Sequence, residues 1–120
     1  MPRSMKNFSA STFVALAGVA YATASHSPFE INTPSIPIEC VPTLITWEGG
    51  LAPYALVIQV PDANGTPVQI FSGLRGHDFT WSTNLTAGTA FGLSLIDNKR
   101  DVAQSAPATV FPGTSSSCLN

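Results

Sequence analysis

Two histidines, seven acidic side chains and two cysteines supply most of the metal, acid–base and redox chemistry open to this 120-residue chain. His26 and His77 form the only imidazole pair. Cleavage of the chain after Ser25 would make His26 an N-terminal residue. Its α-amine and ring nitrogen would then chelate copper, with His77 as second imidazole and Asp78 beside it. The competing reading places His26 in a linker and His77 in a loop. Cleavage after Ala24 fits the small-x-small pattern better than cleavage after Ser25, so no cofactor is expected.

The carboxylates suit hydrolysis poorly. A glycosidase needs two of them at a defined separation across the scissile bond. Glu30, Glu39, Glu48, Asp62, Asp78, Asp97 and Asp101 fall mostly at strand ends and turns, which are ordinary solvated positions. There is no Gly-x-Ser-x-Gly elbow, and His77 has no evident serine partner. A zinc cluster and a phosphate-binding glycine loop are missing as well. Asp62-Ala63-Asn64 and Asp97 to Asp101 could offer oxygens to calcium, yet turn chemistry accounts for both. The expectation is a protein that is not an enzyme.

Binding chemistry has more material. Tyr54, Phe71, Phe111 and Trp81 could present rings for sugar stacking, and the alternative is core or edge packing. Two sequons, Asn64-Gly65-Thr66 and Asn84-Leu85-Thr86, lie in turn-forming stretches where a glycan would be tolerated. The sequon at Asn7 lies in the leader and does not count.

That leader is "MPRSMKNFSASTFVALAGVAYATA", with Arg3 and Lys6 before an apolar run and small residues at its end. It reads as a secretory signal peptide over residues 1–24, leaving a single domain over residues 25–120. The apolar run is shorter than the ~20 residues a membrane span needs. Removing 24 of 120 residues leaves 96, with three basic side chains against seven acidic ones. Nucleic acid and anionic membranes call for a basic face, so neither is an expected partner. The end, "FPGTSSSCLN", carries no apolar tail, and no membrane anchor is expected. In an oxidising compartment Cys40 and Cys118 should pair within the chain, with two free thiols or an intermolecular bridge as the alternative.

The elements that would position these residues are strands. Short apolar runs recur about every ten residues, separated by Gly, Pro, Asn and Asp, which is the pattern of a sandwich or barrel. Seven strands are predicted, at 29–33, 38–47, 54–60, 68–71, 78–82, 90–96 and 102–111. In the second, Val41, Ile45 and Trp47 share a face. In the third, Tyr54, Leu56, Ile58 and Val60 alternate with polar or smaller neighbours. Phe79 and Trp81 share a side of the fifth, and Phe91, Leu93 and Leu95 point inward from the sixth. Pro107 should break or bulge the last strand at a sheet edge. Leu85 should tuck under a corner at which Gly88 reverses the chain. A small domain must bury its largest apolar groups to offset the entropy of ordering its backbone, so Trp47 and Trp81 are assigned to the core.

The stretch "FEINTPSIPIECVPTLITWEGGLAPYALVIQV", then "FTWSTNLTAGTAFGLSLID" and "AQSAP", resembles small secreted fungal proteins of the basidiomycete type. Their domain carries an N-T-P opening, a C-x-P-x-x-x-x-W-x-G-G-x-x-P-Y segment, a T-W strand and an A-G-T corner. That group is similar in turn to the immunoglobulin-like N-terminal domain of yeast proteins of β-1,6-glucan and cell-wall assembly, the Knh type. The resemblance runs from Phe29 to Val110. It implies an all-β, seven-stranded immunoglobulin- or fibronectin-like sandwich, secretion, and a place in the cell wall or extracellular matrix. It implies no defined activity. The expected role is a non-catalytic structural or interaction module whose partner is cell-wall polysaccharide or an extracellular protein. A carbohydrate-binding module for wall glucan or chitin is the alternative, and copper binding the remote one.

Overall fold

The computed structural model describes residues 28–119. The leader expected over residues 1–24, its cleavage site and His26 lie outside the described residues. Among the described residues eight strands run in chain order: β1 (Glu30–Ile31), β2 (Thr43–Glu48), β3 (Tyr54–Gln59), β4 (Pro67–Leu74), β5 (Asp78–Trp81), β6 (Ala90–Ile96), β7 (Val102–Gln104) and β8 (Ala108–Thr109). A 3-10 turn follows at Ser117–Leu119. All strand pairs are antiparallel. One sheet has the order β1-β2-β5. The other has the order β4-β3-β6-β7, with β8 also paired to β6. The chain is an all-β sandwich of two facing sheets, as the strand pattern implied.

Alternation along the strands builds the core. Ile45 and Trp47 of β2, Leu56 and Ile58 of β3, Trp81 of β5, and Phe91, Leu93 and Leu95 of β6 meet in one cluster. Trp47 is 3 % exposed and Trp81 1 %, so both indoles lie between the sheets. Trp81 meets Phe91 edge-on at 5.1 Å, and Trp47 meets Tyr54 edge-on at 5.5 Å. These are the orientations that aromatic quadrupoles favour. The Trp47 indole N–H, buried there, closes no hydrogen bond.

Several strand limits differ from the sequence reading. Val41 is exposed rather than inward. Its N–H bonds to the Ile38 carbonyl, and Cys40 adopts a positive φ of 60°. A turn therefore occupies positions where a strand was expected, and β2 starts only at Thr43. Val60 is exposed too, because its N–H turns back to the Thr66 carbonyl and opens the β3–β4 hairpin. The fourth strand is longer than expected, eight residues. The seventh is split into β7 and β8 around Pro107. Ser105 bridges the split: its N–H bonds to the Leu93 carbonyl, and its hydroxyl accepts the Leu93 N–H.

Gly88 takes φ +89° at the corner before β6, and Leu85 packs against the core. The two long sides of the sandwich are unlike. On one, Thr33 accepts the Ala106 N–H at 3.0 Å, joining the end of β1 to the β7–β8 link. On the other, the edge strands β4 and β5 belong to different sheets, and a groove runs between them.

Candidate functional site

The groove is built from alternate positions of the two edge strands. Gln69 and Phe71 of β4 turn toward the opposite sheet, as do Phe79 and Trp81 of β5. Phe71 and Phe79 lie with ring centroids 4.6 Å apart, one from each sheet. Trp81 makes the second crossing. Its indole N–H donates both to Gln69 Oε1 and to Asn84 Oδ1, each at 3.0 Å. The space left along this side is 480 Å³, flanked by Ile70, Thr80 and Ser82. It offers two half-buried rings, two carboxamides and two hydroxyls, and no ionisable group. Such a lining binds through apolar contact and neutral hydrogen bonds, not through charge.

A second constellation surrounds the β2–β3 turn. Tyr54 donates its hydroxyl hydrogen to the Gly49 carbonyl at 2.7 Å. Phe29 stacks on its ring at 6.1 Å, and the His77 ring lies at 6.0 Å with Nε2 3.4 Å from the hydroxyl. Burial raises the Tyr54 pKa above the ordinary phenol value, and the Asp97 charge raises it further. Gly50, at φ +71°, passes beneath Phe29 so closely that a Cβ would stand 2.8 Å from its ring. Beside this cluster, buried Asp97 takes the N–H of Leu51 on Oδ2 at 3.0 Å. Its Oδ1 takes those of Lys99 and Asp101, both at 2.9 Å. All of these bonds are to backbone, so Asp97 is a structural carboxylate.

The residues singled out from sequence scatter. Cys40 and Cys118 form a disulfide with Cα atoms 5.5 Å apart. It fastens the C-terminal 3-10 turn to the segment before β2. Thr83, fully buried at φ 53°, supports that end: Cys40 N–H bonds to its carbonyl, and its hydroxyl donates to the Val41 carbonyl at 2.6 Å. With that hydrogen spent, Thr43 donates to Thr83 Oγ1, also at 2.6 Å. Asn64 is exposed in the β3–β4 turn, where Asp62 Oδ1 accepts its N–H at 3.1 Å. Asn84 is half-buried at the groove. His77 is exposed and leans on Tyr54, and among the described residues no group of three His, Cys, Asp or Glu side chains could hold a metal.

For most of the aromatic candidates the structure shows the alternative, core or edge packing, as was expected of Trp81. Tyr54, 2 % exposed, is a core residue and no sugar platform. Trp81 is buried as well and shows the groove only its N–H edge. Phe111 is exposed, but it bridges to Ile38 away from the groove. Only Phe71 is where a stacking ring would be of use. Its partners Gln69 and Phe79 were not singled out. The alternation of β4 marks Gln69 as inward, but nothing in the sequence sets β4 opposite β5.

No family model matches the chain, and no curated protein does. Among solved structures, the chain is similar to an Fn3-like protein from Clostridium thermocellum, with 17 % identity and a TM-score of 0.46. That similarity covers 73 % of this chain and 95 % of the other. The two sheets and the Cys40–Cys118 bond together define a disulfide-fastened all-β sandwich.

Proposed function

We propose that this chain is a secreted, non-catalytic β-sandwich that serves as a structural or interaction module of the cell wall or extracellular matrix. One observation carries the reading. None of the residues in the four strands of the β4-β3-β6-β7 sheet is charged, and on its outer face Arg100 borders the end beside Ala55, Ser72 and Ile96. Register sets Ile70, Val57, Ser94 and Gln104 in one row across its four strands. Val68, Ile70 and Val102 are about half exposed or more on this face. Val68 and Ile70 lie together on β4, and clustered exposed apolar side chains mark association sites. Gln104 and Ser94 hold a polar line through its middle, Gln104 Nε2 donating to Ser94 Oγ, which donates to Gln59 Oε1.

The Cys40–Cys118 bond fits an oxidising compartment, and among the described residues no helix is long and apolar enough to cross a membrane. The resemblance to basidiomycete-type secreted proteins supports the wall setting. A second reading, a carbohydrate-binding module, draws on the Phe71–Phe79 groove. Incubation of the mature protein with insoluble β-glucan, chitin and whole wall fragments separates the two. Retention on wall fragments that Ile70→Asp abolishes, with no retention on purified polysaccharide, is the expected result. Retention on pure glucan or chitin that Phe71→Ala abolishes would favour the second reading. No retention on any of the three would leave the wall module without support.

A further inference from the structure

We infer that Asn84 carries an N-linked glycan whose innermost N-acetylglucosamine residues lie in the groove between β4 and β5. The inference rests on the secreted reading, because the modification is made in the secretory route. It starts from a hydrogen bond whose polarity is fixed by chemistry. An indole N–H is a donor only. The carboxamide of Asn84 must therefore present its oxygen to Trp81, as it does at 3.0 Å. Its nitrogen is turned away from the indole.

That nitrogen is the atom that is glycosylated. The amide nitrogen displaces a lipid-linked oligosaccharyl diphosphate at the anomeric carbon. A C1–N bond forms, the C1–O bond breaks, its electron pair leaves with the lipid diphosphate, and one amide proton passes to a base. The oxygen keeps its lone pairs. The modified residue can therefore make the same bond to Trp81, and the fold keeps the indole clamp with the sugar in place. Asn84-Leu85-Thr86 supplies the acceptor sequence, and Thr86 is exposed.

The surroundings suit the first sugars. Asn84 is itself a wall of the groove, so a sugar joined to it starts there. The Phe71–Phe79 pair offers apolar contact to a pyranose face. The Gln69 carboxamide also gives its oxygen to Trp81, which turns its nitrogen away from the indole and leaves it to bond a sugar N-acetyl carbonyl. The lining has no charge, as fits a neutral ligand. Asn64 differs. It stands exposed on a hairpin turn and is no part of the groove lining. Seated sugars at Asn84 also occupy the ring-lined groove that the carbohydrate-binding reading would give to an external polysaccharide.

The test uses the full chain secreted from a yeast host. Native protein is treated with peptide-N-glycosidase, and release from each asparagine is followed by peptide mass as the 1 Da change to aspartate. A parallel sample is denatured first. The expected result is occupancy of Asn84, with release from it about tenfold or more slower in native than in denatured protein, because opening must precede cleavage. Asn64, where occupied, should show little such difference. Thr86→Ser retains the sequon and should behave as the parent; Thr86→Ala should remove only the Asn84 glycan. Equal native and denatured release rates at Asn84 would overturn the seating in the groove. Secretion with Asn84 unmodified would overturn the inference and leave the secreted reading standing. Failure of the chain to enter the secretory route would overturn both.

Discussion

Asp97 Oδ2 accepts the backbone N–H of Leu51 at 3.0 Å, across 46 residues of chain. The Leu51 carbonyl answers by accepting the Asn98 N–H at 2.7 Å. The β2–β3 turn and the β6–β7 turn are thus clamped to each other at one end of the sandwich, and the same carboxylate orders its own turn through Lys99 and Asp101.

Removing that carboxylate should be costly. Asp97→Ala leaves three backbone donors without their charged acceptor, and bonds to charged groups are the strong ones. We expect a loss of about 3 kcal/mol in urea unfolding. Asp97→Asn keeps one oxygen for Lys99 and Asp101 but turns an NH₂ toward the Leu51 N–H. It should cost roughly half to two-thirds as much. Wild-type stability in the alanine variant would show that water replaces the carboxylate without penalty.

Tyr54 should make stability fall at high pH. Its pKa is raised in the folded chain by burial and by the Asp97 charge. An unfolded tyrosine ionises near pH 10. Above that pH the unfolded state loses a proton that the folded state keeps, so unfolding is favoured increasingly as pH rises toward the folded value. Below it, the contribution is fully present. Tyr54→Phe removes the bond to Gly49, worth about 1 kcal/mol near neutrality, and should flatten the alkaline decline relative to wild type. Parallel curves of stability against pH for the two proteins, between pH 9 and 11, would contradict this account.

The core was legible where side chains alternate without interruption. Ile45 and Trp47, Leu56 and Ile58, and Phe91, Leu93 and Leu95 announce their inward faces by a period of two. Val41 does not follow the rule, because the Cys40 backbone is bent to reach both the Thr83 carbonyl and Cys118. Those are contacts 43 and 78 residues distant in the chain. A single-residue change of φ sends Val41 outward, and no local pattern encodes it. Pro107 did announce the break in the last strand, since proline cannot donate to a ladder. The groove was hidden for a different reason. Gln69 and Asn84 meet on the Trp81 N–H only because β4 and β5 end two separate sheets. Periodicity says which way a residue faces, not which strand edge stands opposite.

The disulfide should contribute a large share of the stability. It closes 78 residues, a loop for which chain entropy gives about 4 kcal/mol. Paired Cys40→Ala and Cys118→Ala substitutions should lower the unfolding free energy by about that amount. The loss should appear as a downward shift in midpoint with a steeper dependence on denaturant, because the unfolded chain becomes less compact. An unchanged midpoint would mean that the Thr83 network holds this end of the sandwich unaided.

The Trp81 clamp separates a buried ring from a wet one. With 1 % and 3 % exposure, Trp81 and Trp47 should both resist quenching by acrylamide in the native protein and become accessible on unfolding. Trp81→Phe keeps much of the packing on Phe91 but leaves Gln69 Oε1 and Asn84 Oδ1 without their shared donor. Because both oxygens lie at the groove rather than in the core, water can reach them. The cost should then be about 2 kcal/mol, mostly lost packing volume. Gln69→Leu tests the other end of the same bond. It removes one acceptor while Asn84 still satisfies the indole N–H, so it should cost under about 1 kcal/mol. If Gln69→Leu destabilised as much as Trp81→Phe, the two acceptors would not be interchangeable, and the crossing from Trp81 to β4 would be what holds the two edges together.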